Sequence, residues 1–395
     1  MKIEKLMLYS HPFFGNQEVS FKDSNGKVLN TIVFAGNNGN GKTTILETIF
    51  DIMTAVTHQY SRVVLNLNNL YEKKIVKASK NNPLFGADVI NDFSFSSESH
   101  FFNDLLARID LKVRPKIIYM PAEISFEKLS VKEKSYEYRY SPKNIIDKKM
   151  INDVPSYISS KILDSLMKNE NMTAKEATKI ACDEINSIFK DLEIDAEMSG
   201  LRKDGEKIPL FRNSSGKEFD INGLSSGEKQ LFVRALTLKM INANNSIILI
   251  DEPEISLHPK WQQKILKVYE TIGENNQIII ATHSPHIVSS AKPESVFLLN
   301  KDNGIPKIYN YEQLSSVHGK PMNIVLDFMG LETDRDPEVE KLFDEVRKMV
   351  EKGEFESDKF SKKFKTLTDI VGEIDRDVIL IKMEIAKRKA KSKGA

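Results

Sequence analysis

Cysteine is almost missing. Cys182 is the single one in 395 residues, so no internal disulfide can form. It lies in a helical pattern of Ile180, Ala181, Ile185, Ile188 and Phe189, which predicts a buried, inert thiol. No stretch reaches the roughly 18 consecutive apolar residues that a membrane span needs. The first residues lack the long apolar run and small-residue cleavage site of a signal peptide. These absences predict a cytoplasmic chain with no membrane segment. Net charge is also nearly absent: 57 Lys and Arg against 56 Asp and Glu leave +1. No overall field then draws the chain to nucleic acid, and any such contact must come from a local patch. What remains is ordinary for a soluble globular protein, with 40% hydrophobic and 29% charged residues.

Against this background one segment stands out. Gly36–Thr44 reads Gly-Asn-Asn-Gly-Asn-Gly-Lys-Thr-Thr, after the apolar run Ile32–Ala35 and before the helix-like Ile45–Phe50. Strand, glycine-rich turn and helix are the context a phosphate-binding Walker A loop requires. Glycines let consecutive backbone N–H groups turn inward around a phosphate, where side chains would collide. The candidate nucleotide contacts are Asn37, Asn38, Gly39, Asn40, Gly41, Lys42, Thr43 and Thr44. Lys42 is expected to reach the β- and γ-phosphates and Thr43 to hold Mg²⁺, with the helix N-terminus adding positive field. The segment predicts an ATP site.

The second half supplies further signals in a telling order. Ser246–Ile250 is an apolar strand followed by Asp251, Glu252 and Pro253. This is a Walker B pattern, in which Asp251 holds Mg²⁺ and Glu252 orients or deprotonates the attacking water; two acids at a strand end can also be a solvated turn. Upstream, Leu224–Gln230 precedes a helical run. Ser225 with Glu228 three residues on reads as a capping box, and Ser225, Ser226, Gly227 and Glu228 also make an anion-binding helix start. Downstream, Gln277–Thr282 is a second buried strand, ending at His283; a lone histidine there can equally be a capping or core residue. Phosphate loop, helix start, carboxylate pair and histidine, in that order, are a constellation that chance does not supply.

That order resembles the ABC-type ATPases. Leu224–Gln230 takes the place of their Leu-Ser-Gly-Gly-Gln signature, with Ser226 at the first glycine and Glu228 at the glutamine. His283 takes the place of the switch histidine that contacts the γ-phosphate. Ser256-Leu257-His258-Pro259 and Ala281–Pro285 resemble the SMC-like and overcoming-lysogenization-type branch rather than transporters. The resemblance implies two subunits packed head to tail. Lys42, Thr43, Asp251, Glu252 and His283 then act in cis, and Ser225 and Gly227 act on the partner's nucleotide. The glutamine expected between Walker A and signature is missing. Glu123, after Ile117–Ala122, either fills that metal-sensing place or is a plain surface acid. Tyr9, Phe13 and Phe14 are the candidate adenine-stacking residues, or simply sheet core.

The implied fold is α/β: an ABC-type P-loop ATPase head, parallel sheet plus antiparallel β layer, with a largely helical insertion and a C-terminal helical region. Residues 1–56 and 220–330 read as the core, 57–219 as the insertion and 331–395 as the helical region. Ser61–Arg114, with its Ser94–Ser99 stretch, reads as loops and short helices. Tyr157–Met167 and Thr173–Phe189 read as helices, the second opened by a Thr173/Glu176 capping box. The insertion is far too short for an SMC-type coiled-coil arm. In the tail, apolar stripes mark helices around Val339–Val350, Phe360–Val371 and Val378–Ile385, which either pack internally or dock a partner. The basic end, Lys387–Lys393, reads as a solvated terminus. No nuclease site is predicted: the seven histidines lack paired spacing, and Asp375-Arg376-Asp377 sits in a helical context.

With the helical tail opening at Leu326–Glu338, the motif set resembles the PtuA-type ATPases of Septu antiphage systems and their retron-attached relatives. That family implies a homodimer or higher even homo-oligomer binding ATP and Mg²⁺ and holding an HNH nuclease subunit, PtuB. In retron forms a reverse transcriptase and its RNA–DNA product join, and the ATPase gates the toxic nuclease. The competing readings are a RecF- or SMC-like ATPase of DNA repair and, further off, a transporter ATPase.

Overall fold

The computed structural model describes residues 1–54, 62–66, 75–79, 110–111, 113–124, 128–132, 136–169, 171–204, 206–302, 304–310 and 337–393. They form two compact units, Met1–Val325 and Leu326–Ala395. Most of Ser61–Arg114, including Ser94–Ser99, and most of Leu326–Glu338 lie outside the described residues.

The first unit is built on three sheets. An antiparallel layer runs in the order β2-β1-β4-β5, with β1 at Lys2–His11, β2 at Gly15–Ser20, β4 at Arg62–Asn66 and β5 at Ile75–Ser79. The main sheet runs β14-β13-β3-β12-β11-β6-β7. Its strands are β3 (Thr31–Ala35), β6 (Ile117–Met120), β7 (Lys143–Ile145), β11 (Ile247–Asp251), β12 (Gln277–Thr282), β13 (Val296–Asp302) and β14 (Ile305–Tyr309). All neighbours are parallel except β14, which returns antiparallel to β13. β3, β11 and β12 are buried at every residue. That is why their centres, Ile32–Ala35, Ile247–Ile250 and Ile278–Ala281, are unbroken apolar runs: a parallel strand covered on both faces has no solvent side to show. The helix α1 (Lys42–Thr54) turns Ile45, Leu46, Ile49, Ile52 and Met53 into the core between the two layers. This is the expected α/β P-loop architecture.

The boundaries of the expected insertion are corrected. β4 and β5 extend the antiparallel layer, and β6 and β7 complete the main sheet, although all four lie within 57–219. Strands of three to five residues carry too little periodicity to reveal their sheet, and the partner of β6 is β11, far along the chain. Two helices lie where helices were expected, Lys148–Lys168 and Ala174–Ser187. Thr173 N–H donates to Glu176 Oε2 at 2.9 Å and Glu176 N–H returns to Thr173 Oγ1 at 3.3 Å. A third sheet was not expected: β8 (Glu197–Leu201), β9 (Pro209–Arg212) and β10 (Glu218–Asp220). Cys182 is buried, and burial pushes its thiol up to about 11, consistent with an inert role.

The second unit comprises helices Pro337–Glu351, Asp358–Val371 and Arg376–Lys393. They close around Phe343, Val346, Met349, Val350, Phe360, Leu367, Val378 and Ile381, so the predicted stripes pack internally. Ile370, Ile374, Leu380 and Met383 are left exposed.

Candidate functional site

Four adjacent parallel strands end at one level. Ala35, last in β3, pairs with Thr282, last in β12; Ala281 pairs with Asp251, last in β11; Ile250 pairs with Met120, last in β6. The loops leaving these ends carry Gly36–Gly41, His283, Glu252–Glu254 and Glu123. Sites at the carboxyl ends of parallel strands are where open α/β sheets bind ligands.

The phosphate loop needs its glycines. A Cβ at Gly36 would lie 2.4 Å from the Leu299 carbonyl oxygen, and one at Gly41 would lie 2.3 Å from the Phe13 ring. Asn37, Asn38 and Gly39 form the exposed crest of the loop, whereas Asn40, Gly41 and Lys42 are buried. The Asn40 amide donates to Leu299 O at 2.9 Å, which ties the loop to β13. Lys42 Nζ donates to Gly36 O at 2.9 Å and Asn37 O at 3.1 Å, arching back over the loop. Burial lowers its pKa, while the carboxylates of Glu252, Glu254 and Asp251 oppose that shift. Thr43 Oγ1 donates to Asp251 Oδ2 at 2.8 Å and is exposed; Thr44 follows in the first turn of α1.

Asp251 is 3% exposed, and its Oδ1 has no hydrogen-bond partner. Burial raises its pKa, the Thr43 hydroxyl works against that, and Glu252 and Glu47 add to it. A desolvated carboxylate with one oxygen unpaired, beside a hydroxyl, is a donor set that fits Mg²⁺, which takes few protein oxygens and leaves room for substrate phosphate. Among the described residues no three His, Cys, Asp or Glu side chains could hold a metal by themselves.

After Asp251 the backbone turns sharply, with Glu252 at φ 43° and its N–H bonded to Ala281 O at 2.9 Å. A non-glycine residue held in the left-handed region costs energy that packing must offset. His283 is half exposed. Its Nδ1 lies 3.3 Å from Glu252 Oε1 and 3.3 Å from Glu254 Oε1. Glu254 is a residue whose role the sequence did not reveal. It is 5% exposed, and its Oε1 accepts from Thr282 Oγ1 (2.7 Å), His283 N (2.8 Å) and Ser284 N (3.1 Å). The readable signal was a third acid, two residues after Glu252 and next to Ile255.

The signature helix, Ser226–Met240, begins as predicted. Ser225 N–H donates to Glu228 Oε2 at 2.9 Å, and Glu228 N–H donates to Ser225 Oγ at 3.3 Å. Ser225 and Ser226 are exposed, and Gly227 is buried against the Ser256 carbonyl. Among the described residues no hydrogen bond joins Ser225–Glu228 to the phosphate loop. Farther along the helix, Arg234 was not foreseen. It is 2% exposed and donates to Pro121 O (3.2 Å) and Ala122 O (2.6 Å), pinning the loop that carries Glu123. Glu123 itself is exposed, and no hydrogen bond or ion pair among the described residues links it to Thr43 or Asp251.

The aromatic candidates separate. Phe14 is 1% exposed and belongs to the core, Phe13 is half-buried over Gly41, and Tyr9 is exposed and donates to Glu18 at 3.0 Å. A cavity of about 1060 Å³ lies elsewhere, between helices Lys148–Lys168 and Ala174–Ser187 and β8.

Residues 78–289 match the family described as "AAA domain, putative AbiEii toxin, Type IV TA system". The match takes in the signature, Asp251, Glu252 and His283 and stops short of the phosphate loop. The chain is 30% identical over 203 residues to "Retron Ec83 probable ATPase" of Escherichia coli, covering 48% of this chain but only 36% of that protein. Against "Retron Vc95 probable ATPase" of Vibrio cholerae serotype O1 biovar El Tor, identity is 24%, over 76% of this chain and 74% of the relative. Against "Septu protein PtuA" of Bacillus thuringiensis it is 27%, over 79% and 83%. Among solved structures, an Smc head bound to the C-winged helix domain of ScpA covers 78% of this chain and 98% of its own at 14% identity and a TM-score of 0.48. No described helix is long and apolar enough to cross a membrane.

Proposed function

This chain belongs to the family described as "AAA domain, putative AbiEii toxin, Type IV TA system", and from that premise we propose that it is the ATP-hydrolysing subunit of an antiphage defence complex. The observation that carries the ATPase reading is the meeting of Thr43 and Asp251 at 2.8 Å, with Glu252 and His283 on the adjoining strand ends. The similarity to retron ATPases and to PtuA supports the defence role.

In this reading the loop N–H groups and Lys42 hold the β- and γ-phosphates, and Thr43 Oγ1 and Asp251 hold Mg²⁺. When bound, that ion supplies charge neutralisation at the phosphate oxygens. Glu252 orients a water and takes its proton, and His283 lies within reach of the same end of the substrate. Ser225 and Gly227 serve the nucleotide of a second copy, packed head to tail. The exposed helix start at Ser225, with no hydrogen bond to its own phosphate loop among the described residues, supports that assignment. Loss of the γ-phosphate then weakens a contact held by both copies. The assembled ATPase holds and gates an HNH nuclease subunit, with a reverse transcriptase and its RNA–DNA product joining in a retron setting. Assembly and action are placed in the cytoplasm.

Mass measurement with and without ATP and Mg²⁺, on the chain alone and co-expressed with a PtuB-type HNH nuclease, tests this reading. A nucleotide-dependent dimer or higher even oligomer that retains the nuclease is expected. A monomer with ATP and Mg²⁺ present overturns the sandwich, and a nuclease that never co-purifies overturns the gating role.

A further inference from the structure

We propose that Glu254 is a positioning residue that fixes the place of His283, whose ring Nδ1 is hydrogen-bonded to the neighbouring Glu252 Oε1 at 3.3 Å. Its carboxylate is nearly solvent-free, a state that costs several kcal/mol unless donors surround it. The donors it gathers all fall on Oε1 and come from Thr282, at the end of β12, and the two residues after it, while Oε2 is buried with no hydrogen-bond partner among the described residues. Thr282 Oγ1, His283 N and Ser284 N converge on Oε1 within 2.7–3.1 Å. The same oxygen lies 3.3 Å from His283 Nδ1. One atom thus holds the backbone of His283 and faces its ring. A second tether runs in parallel, because Ser284 Oγ donates to Gln262 Oε1 at 2.7 Å and Gln262 Nε2 donates to Leu257 O at 2.9 Å. The loop after β11 and the loop after β12 are therefore one hydrogen-bonded unit.

The ring chemistry follows from the acceptors. Both groups near Nδ1 are carboxylate oxygens, from Glu252 and Glu254, and a carboxylate only accepts. Nδ1 must carry the hydrogen, and Nε2 is left for whatever faces the other side of the ring. A neutral histidine left to itself prefers the opposite arrangement, with hydrogen on Nε2. Glu254 makes no hydrogen bond to Lys42 or Thr43 among the described residues, and is a positioning residue rather than a catalytic one, although its charge opposes the lowered pKa of Lys42. The inference rests on His283 serving the ATP site, but the His283 ring signals can be read without nucleotide.

The experiment uses the full chain with ¹⁵N-labelled histidine, together with steady-state ATPase kinetics. Wild type is expected to show His283 as the Nδ1–H tautomer. Glu254→Ala is expected to keep that tautomer, which Glu252 Oε1 still supports, to move the His283 ring ¹⁵N signals as the loop loses its anchor, and to lower kcat about tenfold or more, with KM for ATP within about threefold. Adding Glu254→Ala to His283→Ala is expected to change kcat less than about threefold, since the two act as one unit. Glu254→Gln keeps the accepting oxygen and is expected to stay within about fivefold of wild type. Should Glu254→Ala fail to fold, Glu254→Asp carries the same expectations, because it withdraws the carboxylate by one methylene. Unmoved His283 ring signals in either variant, independent losses in the double variant, or a Glu254→Gln loss as large as that of Glu254→Ala overturns the proposal. If wild type hydrolyses no ATP, the ATPase reading fails while the ring signals still judge Glu254.

Discussion

A Cβ added at Gly227 would lie 2.5 Å from the carbonyl oxygen of Ser256, so the signature helix rests directly on the loop that follows the Walker B strand. The Trp261 ring closes the other side at 3.3 Å. Gly227→Ala is therefore expected to act through overpacking and to lower stability by about 1–3 kcal/mol. Denaturant unfolding measures it. Ser225→Ala, which removes only the cap, should cost about 1 kcal/mol, and equal stability of Gly227→Ala and wild type would contradict the close contact.

Glu252→Gln keeps the shape of the turn at φ 43° and removes the basic oxygen. Turnover is expected to fall by a factor on the order of 10²–10⁴ with ATP binding preserved, and the closed dimer should accumulate. Phosphate release and mass measurement read the two effects. Unchanged turnover would remove Glu252 from the role of base.

Thr43→Ala deletes the one hydrogen-bond donor that the Asp251 carboxylate has among the described residues. The nucleotide-free protein should lose about 1–2 kcal/mol of stability, and hydrolysis should need much more Mg²⁺ for half-saturation. Chelation by EDTA should stop hydrolysis in wild type. ATPase activity persisting in EDTA would separate Asp251 from metal binding.

Lys116 offers a pH test away from the site. It is 1% exposed, its Nζ donates to Arg114 O at 3.0 Å and Asn242 O at 2.8 Å, and burial lowers its pKa to about 8. A base whose folded value lies below its unfolded value is penalised while protonated. That penalty lifts as pH rises through the folded value toward 10.5. Wild type should thus gain stability between pH 7 and 9 relative to Lys116→Met. Parallel unfolding curves of the two proteins across that range would refute the shift.

Much of the site was readable in the chain because its parts are local. Gly36–Thr44, the Ser225/Glu228 capping box and the apolar strands ending at Asp251 and His283 each carry their physics within a dozen residues. β6 and β7 were not readable as members of the main sheet. A strand of three or four residues gains its place only from a partner, here β11, that arrives much later. Asn40 reads as a phosphate contact but spends its amide on Leu299, a pairing no spacing rule reveals.

By itself the sequence determined the chemistry: the kinds of groups present, and the turns, caps and buried strands that display them, since these depend on near neighbours. Only the tertiary structure decided which groups meet. Parallel register brought Ala35, Thr282, Asp251 and Met120 to one level. It left Asp251 desolvated with a spare oxygen, and it turned Glu254 from an unremarked acid into the anchor of the His283 loop. The reason is that desolvation and convergent hydrogen bonding depend on what surrounds a group in space, and residues distant in the chain provide those surroundings.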